Sequence, residues 1–85
     1  MSDYEAIKFI LAEYGFTPLS AGQIVFYLLC CQIRTDNHVA PDWVDKIIEN
    51  EINHGIYDII PCEVSQDEDG KPLKTYSLMS HLYTI

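Results

Sequence analysis

The stretch SAGQIVFYLLCC, residues 20–31, decides how the rest of the chain is read. It opens on Ser20 with Gln23 three places later, a capping box in which each side chain satisfies the other's free backbone amide. Leu19 and Ile24 stand at the two positions of a hydrophobic staple, and Thr17-Pro18 breaks the chain just before them. From Ile24 to Leu29 the apolar residues run on without a polar one between them. A helix with such a run is expected to be covered on most sides and to form the centre of the fold. A buried strand would explain the run too, but the two cap signals favour a helix over about 20–33. Cys30 and Cys31 at its end are expected to pack as small buried hydrophobes.

Working outward, Ser2 and Glu5 make a first capping box, and Ile7, Ile10, Leu11 and Tyr14 follow at helical spacing before Gly15. That predicts a helix over 3–14. Downstream, Gln32 to Ala40 is polar, with Asp36-Asn37 as a turn signal, and Pro41 suits a first helical turn. A third helix is expected over 41–54, with Val44, Ile47, Ile48 and Ile52 as its buried stripe and Gly55 as its C-terminal signal. Leu28 and Ile48 should meet in the core. The opposite face of this helix is read as Asp42, Asp45, Lys46, Glu49 and Asn53, turned to solvent. Trp43 lies one position off the stripe, which suits either the margin of the core or a contact anchor.

After Gly55 the pattern changes to β-branched and aromatic residues. Strands are expected near 56–64 and 73–78, joined by the turn Asp67-Glu68-Asp69-Gly70. Ile60, Cys62 and Val64 share one side of the first strand, as Tyr76 and Leu78 do on the second, and these sides should face the helices. Pro61 points to an edge strand or a bulge. The tail from Met79 is apolar enough that Leu82 should pack. The expected fold class is therefore α+β, a three-helix bundle followed by a C-terminal β-hairpin, in one domain spanning 1–85.

Eighty-five residues suffice for one core. Apolar and aromatic shares of 48% and 12% exclude a disordered chain, which could not offset its conformational entropy. Thirteen acids against five bases leave a net charge of −8. Between Asp36 and Asp69 stand ten acids and one base, Lys46, so nucleic acid and anionic lipid are poor default partners. The longest apolar run, Ile24 to Cys31, is eight residues, far below the ~20 that span a bilayer. The N-terminus has no secretory pattern, and three cysteines, two of them adjacent, do not form a disulfide framework. A reducing, cytoplasmic setting is expected.

Candidate chemistry is sparse. Cys30, Cys31, Cys62, His38, His54 and His81 lack the spacings of a zinc site, and the Asp67 to Gly70 turn lacks the alternating acids of a calcium loop. No phosphate-binding glycine loop or nucleophile motif occurs. The expectation is a protein without catalysis, metal or cofactor.

Three helices followed by a hairpin, in this order and length, resemble the winged helix-turn-helix class. That resemblance implies a third helix that reads the DNA major groove and a hairpin, or wing, that touches the adjacent backbone. The positions corresponding to the reading face are Asp42, Asp45, Lys46, Glu49 and Asn53, mostly acids where phosphate binding calls for bases. In size and charge the chain is also similar to small phage-encoded inhibitors, some of which carry acidic faces that cover nucleic-acid sites on host proteins. The leading expectation is thus a protein-binding module, an inhibitor or adaptor that engages a basic surface of a partner protein. Its contact residues would be Asp42, Trp43, Asp45, Glu49 and Asn53 with the hairpin acids Asp67, Glu68 and Asp69; a homodimer stays open. The alternative is a dimeric DNA-binding regulator using Arg34, Lys71 and Lys74 on phosphates.

Overall fold

A computed structural model of the chain describes residues 1–66, 70 and 72–82, without the side chains of 63–66, 72 and 73. Helix α1 (Asp3–Tyr14) is followed by a short strand β1 (Leu19–Ser20), then α2 (Ala21–Cys30) and α3 (Pro41–Asn53). Strands β2 (Ile59–Gln66) and β3 (Pro72–Leu78) come next, and a single turn of helix, α4 (Met79–Leu82), closes the described part. The three strands form one antiparallel sheet in the order β1-β3-β2. The fold is α+β.

Local chemistry accounts for the helix ends. The Ser2 hydroxyl accepts from the Glu5 amide at 3.1 Å. At α2 both halves of the capping box form: Gln23 N donates to Ser20 Oγ at 3.2 Å, and Ser20 N to Gln23 Oε1 at 2.9 Å. Helix α3 starts on Pro41 with no side-chain cap. It ends in a Schellman motif, with Gly55 at φ +81°, Gly55 N donating to Ile52 O at 2.9 Å and Ile56 N to Glu51 O at 2.9 Å. Helix α2 ends the same way, but Gln32 takes the left-handed position at φ +57°. Its amide donates to Leu29 O at 3.1 Å, and that of Ile33 donates to Leu28 O at 3.0 Å. A side chain there carries a steric cost that glycine would not.

Strand β1 is the element that hydrophobic periodicity does not announce. Leu19 pairs with Tyr76 and Ser20 with Thr75, so the residue that caps α2 also ends a strand. Strand β2 begins at Ile59 rather than near 56, and its register against β3 slips between Glu63 and Ser65. Pro61 sits on β2, an edge strand, where a missing N–H costs no ladder bond.

The core joins Ala6, Ile7, Ile10 and Leu11 of α1, Leu19, Ala21, Ile24 and Leu28, Val39, Val44 and Ile48, and Ile59, Tyr76 and Leu78 of the sheet. Leu28 and Ile48 are both fully buried, as the spacing predicts. Four expectations are corrected. The inward phase of β2 is set by Ile59, which pairs with the buried Leu78, while Ile60 and Cys62 are only half-buried opposite Ser77 and Thr75. Val64 falls outside the described side chains. Ile47 and Ile52 lie at the core margin, half-buried. Leu82 is exposed at the end of α4, a single turn of helix with no buried residue. Finally, α2 is not covered on most sides: Ala21, Ile24 and Leu28 face in, whereas Phe26, Leu29, Cys30 and Cys31 are exposed. At 100° per residue, Leu29 and Cys30 are carried away from the Ile24–Leu28 stripe, and Cys31 lies beyond the last turn.

Candidate interaction face on the third helix

Helix α3 has one face packed in the core through Val44 and Ile48, so its remaining residues divide between solvent and the sheet. Asp42, Lys46, Glu49, Asn50 and Asn53 are exposed. Trp43 is half-buried, packed against the core with His38 edge-on to its ring at 5.7 Å between centroids. It serves the margin of the core and keeps one side open.

Two of the acids read as outward are not free. Asp45 is half-buried and accepts a hydrogen bond from the hydroxyl of Tyr76, whose side chain is fully buried on β3. Glu49 is exposed but pairs with Lys74 of β3 at 3.4 Å, and the Lys74 ammonium lies 5.7 Å from the Tyr76 ring centroid. These four residues tie α3 to the central strand. Burial pushes the Tyr76 phenol well above its ordinary pKa of 10.0, and the Asp45 hydrogen bond and the charges of Asp45 and Glu49 push it the same way. The group is a neutral donor at physiological pH, suited to holding a carboxylate in place.

Of the eight contact residues expected from the sequence, Asp42, Trp43, Glu49 and Asn53 therefore remain on the accessible side, and Asp45 turns to the sheet. Asp67, Glu68 and Asp69 lie outside the described residues. The sequence misjudged Asp45 because helical periodicity places it off the Val44–Ile48 stripe but does not say that β3 packs along that flank.

Cations are scattered. Arg34 binds Asp3 at 2.9 Å and donates to the backbone oxygens of Met1 at 2.7 Å and Ile33 at 2.8 Å. Lys8 pairs with Asp58 at 3.5 Å, beside a shallow groove lined by Leu78, Met79 and Ser80. Lys74 is held by Glu49, and Lys71 lies outside the described residues. Of the bases invoked for DNA contact, Arg34 and Lys74 are thus each engaged by an acid of a different helix, Asp3 of α1 and Glu49 of α3. No group of three or more His, Cys, Asp or Glu side chains able to hold a metal occurs among them either.

The apolar outer side of α2, centred on Phe26, is the surface that the reading of residues 20–31 missed. A helical-wheel count from Ile24 and Leu28 would have found it. No described helix is long and apolar enough to cross a membrane. In comparisons with protein-family models, with curated proteins and with solved structures, the chain finds no match.

Proposed function

We propose that the chain is a non-catalytic protein-binding module, an inhibitor or adaptor that presents the open side of α3 to a basic surface on a partner protein. The observation that carries the reading is the fate of the charges. The chain has five bases, and three of them, Lys8, Arg34 and Lys74, are held in ion pairs with acids of the same chain. With a net charge of −8, the surplus acids set the field that an approaching partner meets. Asp42, exposed at the start of α3, stands beside the half-buried Trp43, and large aromatics on a polar face often dominate contact energetics. The acids Asp67, Glu68 and Asp69, outside the described residues, add to the net charge by sequence.

The element order, with a short strand between α1 and α2 set against the last strand, supports a winged-helix layout for this module. In that layout α3 would be the recognition helix, here with acids in place of bases. The partner class then follows from charge: a surface built to hold phosphate would attract this helix, and phosphate itself would not. Titration of labelled duplex DNA with the purified chain at about 0.15 M salt, where the screening length is about 8 Å, is expected to show no saturable binding. Saturable binding there would favour the DNA-regulator reading.

A further inference from the structure

We propose that Cys30 and Cys31 form a dithiol site that takes a trivalent arsenical between its two sulfurs. Both are free thiols and both are exposed, against the usual burial of cysteine. Cys30 is the last residue of α2 and Cys31 its cap, at φ −84° and ψ 0°, so the sulfurs project from consecutive residues at the helix end. Exposure leaves their χ1 rotamers free to turn toward one another. Cys31 Sγ lies 3.5 Å from the Tyr14 hydroxyl, an exposed contact that a sulfur–arsenic bond replaces.

Geometry and donor type select the ligand. A disulfide joins residues whose Cα atoms usually stand about 4.4–6.8 Å apart, whereas neighbours across a trans peptide stand about 3.8 Å apart. A direct Cys30–Cys31 bond is therefore cramped, and an atom inserted between the sulfurs lengthens the ring and relieves it. That atom must be content with two sulfur donors from the chain. Structural zinc calls for four ligands, and no group of three or more His, Cys, Asp or Glu side chains able to hold a metal occurs among the described residues. Cys62 is half-buried on β2, where its thiol donates to Ile60 O at 3.6 Å. A soft centre that brings a substituent of its own fits the adjacent pair. Residues 14–33 contain no Asp, Glu, Lys or Arg, so no charged side chain of this segment pairs with the sulfurs or repels the ligand. The negative end of the α2 dipole favours an electropositive atom there.

Phenylarsine oxide shows the balance of the step. Its arsenic–oxygen double bond breaks, two arsenic–sulfur bonds form, and the two thiol protons leave with the oxygen as water. Arsenic stays trivalent, so neither oxidant nor reductant is needed. The second bond closes within one molecule, and joined donors exceed single ones by about 10²–10⁴ in affinity.

Phenylarsine oxide added in equal amount to the full, reduced chain under native conditions, and read by intact mass, tests this. One arsenical should be found per 9.8 kDa chain. It should persist in excess monothiol and be removed by the dithiol dimercaptopropanol. Cys30→Ser and Cys31→Ser should each weaken its retention by about a hundredfold or more, with the far-ultraviolet circular dichroism unchanged; Cys30→Ala or Cys31→Ala serves if a serine variant does not fold. Cys62→Ser should leave retention unchanged. The reaction should run in native buffer as readily as in urea, since neither thiol has to be uncovered. An adduct that monothiol strips from the parent, one that needs Cys62, one that bridges two chains, or one that forms only in urea overturns the proposal. The site lies at the end of α2 and does not depend on the reading of α3.

Discussion

Helices α2 and α3 are neighbours in the chain and share one core, yet their sequences mislead in opposite directions. Helix α2 is apolar nearly throughout and leaves Phe26, Leu29 and Cys30 in solvent. Helix α3 is charged over most of its circumference, yet the sheet takes up Asp45 and engages Glu49. Burial in both is decided by which flank meets another element. Composition sets only what a face can tolerate: an uncharged face can be exposed at modest cost, and a carboxylate can be half-buried when a donor such as Tyr76 meets it.

The sharpest way to break the contrast lies within α2 itself. Leu28→Ala should cost about 2–5 kcal/mol of stability, and Ile48→Ala on α3 a similar amount, because both side chains are fully buried and leave cavities. Phe26→Ala, two positions from Leu28, should change the stability of the dilute monomer by no more than about 0.5 kcal/mol. Urea denaturation of the three variants at low concentration ranks them. Equal losses at Leu28 and Phe26 would show that α2 is covered all round.

On the α3 side, Tyr76→Phe should cost about 1–3 kcal/mol, since it leaves the half-buried Asp45 carboxylate without its donor. The phenol also gives a pH signature. Its folded pKa is raised, so the stability tied to its neutral form is fully present below about pH 10 and is lost as pH rises through the folded value. Denaturation midpoints taken from pH 8 upward should fall for the parent, and the fall should be shallower for Tyr76→Phe; Tyr4, raised in the same direction by burial and by Asp58, leaves a residual slope. Identical slopes would remove Tyr76 from the α3–β3 tie.

These outcomes bear on how much of the molecule the sequence makes legible. Helix starts and the end of α3 were readable because they rest on local chemistry, as at Ser2, at Ser20 with Gln23, and at Gly55, whereas α2, expected to reach 33, ends at Cys30 because Gln32 takes the left-handed position; the burial of Leu28 and Ile48 in one core followed from helical spacing. Strand β1 was not readable, because two residues carry no period, and neither was the sheet's order, since Leu19 and Tyr76 lie far apart in the chain. The same long-range packing hid the role of Asp45. For the candidate site, residue types were legible at Asp42, Trp43, Glu49 and Asn53, while their division between solvent and sheet required the fold.

A smaller effect sharpens the comparison at the end of α2. Gln32 holds a left-handed backbone, so Gln32→Gly should leave the helix intact and raise the thermal midpoint, by up to about 1 kcal/mol of added stability. A loss of stability would mean that the glutamine side chain contributes more than its backbone costs. Small too should be the effect of Asp42→Lys on folding, within about 1 kcal/mol, because Asp42 is exposed and enters no ion pair among the described residues, and only its place in the first turn of α3, which favours an acid, resists the change.

That insensitivity makes Asp42 the site for the decisive measurement, a paired affinity capture from lysate of the organism that encodes the chain, with the parent and Asp42→Lys as baits at about 0.15 M salt. The account predicts that the parent retains a protein with a basic surface, that raising salt releases it, and that the lysine bait recovers markedly less of it. Equal recovery of the same proteins by both baits, or retention that salt does not weaken, would contradict the claim that the open side of α3 is the partner-binding face.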